Sequence, residues 1–77
     1  MDSIEGLLIA IAETWPLQLT VQPDQGPPWA VSAGEGMRLS LRGAPMQPSA
    51  LRPGQRLRAS GQRHGAQALQ AQTIEVL

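Results

Sequence analysis

The sequence predicts an all-β fold, a small five-stranded barrel with little or no helix, and three observations carry that expectation. Apolar and polar residues alternate along much of the chain, as in "LQLTV" and "MRLSL", which is the period of a half-buried strand. Most of the seven prolines and eight glycines cluster between those runs and mark turns. The one long interval between strands, "RGAPMQPSALRPG", holds three prolines and two glycines, so at most a single helical turn fits there.

The elements follow in order. In "SIEGLLIAIAETW", Ile4, Leu8, Ala10 and Ala12 share one parity while Leu7, Ile9 and Ile11 share the other. A helix competes for this run, but Gly6 and the β-branched Ile4, Ile9 and Ile11 favour a long first strand with a bulge or bend at the glycine. A strand apolar on both sides is expected to be covered on both, or to bend and serve two sheets. Pro16 disfavours α geometry at Trp15 and makes a turn. Leu17, Leu19 and Val21 then alternate with Gln18, Thr20 and Gln22 as the second strand. "PDQGPP" reverses the chain into a hairpin, and "WAVSA" places Trp29, Val31 and Ala33 on one wall. "GEG" interrupts, and "MRLSL" resumes with Met37, Leu39 and Leu41 inward, either across a bulge or as a separate short strand.

Within the proline-rich interval, Ser49 is expected to cap a turn over Ala50 and Leu51 before Pro53 and Gly54 reverse the chain. "QRLRASG" sets Leu57 and Ala59 against Arg56, Arg58 and Ser60. "QRHG" closes a hairpin, and "AQALQAQTIEVL" supplies the last strand. Its apolar phase slips from Leu69 and Ala71 to Ile74 and Val76, which requires a bulge near Gln72 and Thr73.

Residues 1–77 make one domain. A chain this short buries only about 60% of its unfolded surface, so the core is small and function is expected on the outside. No cysteine is present, which excludes disulfides and thiolate metal sites. The start "MDSIEGLLIAIAETW" has two early acids, no basic residue and no small-residue cleavage motif, unlike a signal peptide. No run approaches the roughly 18 apolar residues of a membrane span. A soluble cytoplasmic protein without membrane contact is expected.

Five strands, a long glycine-bearing first strand and a carboxyl-terminal hairpin resemble the oligonucleotide/oligosaccharide-binding (OB) fold. The pattern is similar to small bacterial domains of unknown function with that fold, at Gly6 and Leu8, then Leu51, Gly54, Leu57 and Gly61, then Ala71 and Ile74. The resemblance runs from Ile4 to Val76 and its motifs are structural, marking turns and core positions. The chain departs from the common form in lacking a helix before the fourth strand, so "APMQPSAL" is expected to plug the barrel's end. From the residues alone, Gly54 suits a tight turn and Gly61 a close backbone approach. An SH3-like barrel ranks second on the same spacings, and a sandwich is less favoured at this length.

The chemistry points away from an enzyme. With one histidine, no tyrosine and no pair of nearby acids, neither a nucleophile–base pair nor a carboxylate dyad is suggested. His64 reads as an exposed turn residue, and no catalytic residue, metal ligand set or cofactor loop is expected. What remains is surface. The acids Asp2, Glu5, Glu13, Asp24 and Glu35 precede Met37, while Arg38, Arg42, Arg52, Arg56, Arg58 and Arg63 all follow it, with Glu75 alone among the acids at the end. Period two puts Arg56 and Arg58 on one side of the fourth strand, with Arg52 and Arg63 flanking it and Arg38 and Arg42 on or after the third. Joined into one face, with Trp15 and Trp29 as stacking platforms, these would bind single-stranded nucleic acid without catalysis. Scatter of the arginines around the barrel, or pairing of each with an early acid, would remove that argument. The alternative is a protein-interaction or self-assembly module in which acidic and basic halves pair between copies as a homo-oligomer; carbohydrate binding has thinner support.

Overall fold

A computed structural model of the chain describes residues 1–14 and 16–77, with the backbone alone for Glu35. Six strands form: β1 (Asp2–Ala12), β2 (Leu17–Pro23), β3 (Trp29–Leu41), β4 (Ala44–Pro45), β5 (Arg56–Gly65) and β6 (Ala68–Val76). Five of them close a ring, β1–β2–β3–β6–β5 and back to β1; β3 and β6 run parallel and every other contact is antiparallel. This is an all-β closed barrel, and its strand order is compatible with an OB-like fold. The two-residue β4, which the sequence did not announce, folds back on the end of β3.

Alternation builds the inner wall as expected. Leu8, Leu19, Val21, Val31, Leu57, Leu69 and Ile74 are fully buried, while Arg58 between Leu57 and Ala59 is exposed. At Gln72 the ladder slips, because Ser60 pairs with Thr73 but Gly61 pairs with Ala71. The phase change inside β6 is thus a bulge where the apolar pattern required one. The third strand is continuous: four residues, 34–37, stand opposite Gln72 alone, so β3 and β6 part there before pairing again at Arg38 and Thr73.

Leu51 is buried and Met46 packs against the core, so the proline-rich interval closes one barrel end. Pro53 and Gly54 form a tight turn with Gly54 at φ +98°, a left-handed conformation that favours glycine.

Several expectations are corrected. The irregularity of β1 lies between Leu8 and Ala10, not at Gly6. Gly6 instead meets a neighbouring strand so closely that a Cβ would strike the carbonyl oxygen of Gln22. The extra residue Ile9 switches the inward set from Ile4, Gly6 and Leu8 to Ile11, and β1 is not covered on both sides: Leu7 and Ile9, on the outward parity, are 44% and 46% exposed. β1 still serves two neighbours, β5 along its first half and β2 along its second. Leu41 is exposed rather than inward, because it ends β3 at the barrel rim. Ser49 caps nothing. It lies inside a 3-10 turn, Pro48–Ala50, whose N-cap position is Gln47. "QRHG" belongs to β5, and the hairpin turn is Ala66–Gln67.

Candidate binding faces

The register of the barrel decides which arginines meet which acids. β1 and β5 pair antiparallel with Glu5 opposite Arg58 and Leu7 opposite Arg56. Both arginines and the acid point outward by period two, and one carboxylate serves both. Arg58 Nη2 donates to Glu5 Oε1 at 2.9 Å, and Arg56 Nη2 donates to Glu5 Oε2 at 3.1 Å. Arg56 also grips Asp24 with two parallel bonds, Nη1 to Oδ1 at 3.1 Å and Nη2 to Oδ2 at 2.8 Å, the fork geometry that suits guanidinium and carboxylate. Arg58, then Arg56, holds the Glu5 carboxyl below the ordinary value, and Arg56 does the same to Asp24. Asp24 first, then Glu5, raises the pKa of Arg56 further.

The expected arginine stripe therefore splits. Arg56 and Arg58 are brought together, and two early acids offset their charge. Arg52 folds back, with Nη1 donating to the carbonyls of Ser49 at 2.6 Å and Leu51 at 2.8 Å. Arg63 sits at the other end of β5, donating to the carbonyls of Gly65 and Ala66 at 2.7 and 2.9 Å. Its guanidinium lies 5.2 Å from the ring centroid of Trp29, a cation–π contact. Arg38 lies on the rim of a cleft of about 700 Å³ with Met37, Met46 and Glu75. Arg42 occupies the β3–β4 turn at φ 51°. Neither Arg38 nor Arg42 makes an ion pair among the described residues. Trp29 is half-buried against the core, with Arg63 on its face; Trp15 lies outside the described residues.

A second face was not legible as a unit in the sequence. Pairing aligns Gln18 of β2 with Ser32 of β3, Ser32 with Gln70 of β6, and Gln70 with Gln62 of β5. These side chains form one outward row of amides and a hydroxyl across four strands. His64 is exposed, as expected, and extends the row through an Nε2···Oε1 contact of 2.8 Å with Gln70. The neighbouring outward row is small: Thr20, Ala30, Ala68 and Gly65. It leaves a low shelf beside the amides. Where β3 and β6 part, a depression of about 300 Å³ lined by Gly34, Gly36, Met37, Gln62, Gln70 and Gln72 adjoins the row. The separate glutamines were visible in the sequence, but their alignment depends on the parallel β3–β6 register.

Among the described residues, no group of three or more histidine or acidic side chains is placed to hold a metal ion, and no helix is long and apolar enough to cross a membrane. Compared with models of protein families, with curated proteins and with solved structures, the chain has no match.

Proposed function

We propose that the chain is a non-catalytic binding barrel of the OB type that takes single-stranded nucleic acid on the outer face of β2, β3, β6 and the far end of β5. The observation that carries this reading is the amide row Gln18, Ser32, Gln70 and Gln62 beside its shelf of small residues. An amide offers both donors and an acceptor, which suits the edges of unpaired bases, and a low shelf lets a flat ring approach. Arg63, stacked on Trp29 at the adjoining end of the barrel, and Arg38, further along β3, are the two cations proposed to meet the phosphates. Arg56 and Arg58 do not enter, because a phosphate would have to displace carboxylates already bonded to them. With about two phosphates neutralised at ~0.7 each, log affinity falls against log salt with a slope near −1.4, against about −3 for a four-arginine stripe. The proposal includes a cytoplasmic location and kinship with the small bacterial OB domains resembled at Gly6, Gly54 and Gly61.

Anisotropy of a labelled, unstructured oligonucleotide at low salt tests it. The double variant Gln62→Ala with Gln70→Ala loses two hydrogen bonds of about 0.5–1.5 kcal/mol each and weakens binding about tenfold, while Arg58→Gln leaves it unchanged. Absence of binding at millimolar protein, or dependence on Arg58 with none on Gln70, overturns the reading.

A further inference from the structure

From a different surface, we propose that the outer face of β1 is a self-complementary contact that takes a second copy of this chain. Alternation with Glu5 sets two large aliphatic side chains, Leu7 and Ile9, outward near one another, just ahead of and at the bulge. Leu7 stands opposite Arg56 in the β1–β5 ladder, and the amide of Leu77 donates to the Arg56 carbonyl at 2.9 Å, which sets Leu77, 40% exposed, on the far side of that arginine. Around this apolar centre lie Glu5, Asp24, Arg56 and Arg58, two charges of each sign joined by ion pairs.

That neutrality selects the partner. A surface of one sign meeting its own copy across a two-fold axis suffers like-charge repulsion, whereas a patch holding both signs can set acid against arginine on each side of the axis. A polyanion finds no net attraction there. The sheet edge offers a poorer route. Asp2–Glu5 of β1 has no strand on the side away from β5, but pairing along that short segment would leave Leu7 and Ile9 uncovered, because they lie where β1 already runs beside β2. Face-to-face contact through Leu7 and Ile9 is therefore the arrangement that covers the apolar side chains. The patch is small beside the roughly 1,200 Å² that stable interfaces bury in total, so the dimer forms with rising concentration and is not obligate.

Sedimentation equilibrium from micromolar to millimolar protein tests this. The average mass is expected to rise from 8.2 kDa toward twice that value. Leu7→Glu, which adds an acid beside Glu5 at an exposed position, should weaken association at least tenfold while leaving the circular dichroism spectrum unchanged. Ala66→Glu, in the exposed turn between β5 and β6 at the end of β5 away from Arg56, should associate as the unaltered chain does. In the unaltered chain, dilution should move amide resonances of residues 5–10 and Leu77. A monomer at millimolar concentration, equal association by the Leu7 variant, or loss confined to the Ala66 variant would overturn the proposal.

Discussion

Gly6 and Gly61 show how single residues let the barrel close. Each lies where two strands cross so tightly that a methyl group would strike a neighbouring backbone carbonyl, that of Gln22 for Gly6 and that of Gln70 for Gly61. Backbone cannot step aside as a flexible side chain can, so the added carbon is accommodated only by opening a ladder. Gly61→Ala should therefore cost at least about 2–3 kcal/mol, a large share of the roughly 4–12 kcal/mol a chain of this length holds at 0.05–0.15 kcal/mol per residue. Gly34→Ala is the control, since its Cβ would meet only Pro16 Cβ at 3.7 Å, an ordinary contact. Urea unfolding of the two variants checks this. Equal stability would mean that the strands approach less closely than described. Gly61 was legible as a site of close approach because a glycine inside an alternating strand has few other uses. Gly6 looks the same in sequence but fits a bulge or bend equally well there, since its neighbour Pro23 comes from a register that only the folded chain reveals.

Among the elements, β1 does most to organise the surface, and its ion network gives a pH dependence. Glu5 and Asp24 titrate below their ordinary values of 4.5 and 3.8 in the folded chain. Groups of that kind stabilise the fold above the unfolded-state pKa, and the contribution is lost as pH falls through the folded-state values. At low salt the melting temperature should drop as pH is lowered through and below 4.5, and Glu5→Gln should flatten much of that drop. The effect is modest and shrinks with added salt, because the pairs are half-exposed. A variant as pH-sensitive as the unaltered chain would show that the network contributes nothing. The outward direction of Arg56 and Arg58 was legible from alternation alone. Their partners were not: Glu5 and Asp24 lie 51 and 32 residues from Arg56, and only the β1–β5 and β1–β2 pairings bring them near. The bulge in β6 lies at the opposite extreme, since the slip from Ala71 to Ile74 is written in the apolar pattern itself.

At the scale of the whole molecule, folding rearranges what composition suggested. A sequence with acids first and arginines last becomes a barrel on which the largest charge cluster is neutral, the aliphatic outer patch lies beside it, and an amide row spans another arc of the wall. Ring closure through the parallel β3–β6 contact makes that row, because it joins residues from β2 and β3 to residues more than thirty positions later. Charge segregation along the chain was therefore a poor guide to surface polarity, and register the decisive unknown. Nuclear magnetic resonance mapping of a short unstructured oligonucleotide onto the isotope-labelled protein bears most directly on where ligand contact occurs. The account predicts shifts in the side-chain amides of Gln18, Gln62 and Gln70 and in the Trp29 indole, with the Arg56 and Arg58 guanidinium signals unmoved. Shifts centred on Arg56 and Arg58, or none at millimolar ligand, would contradict it.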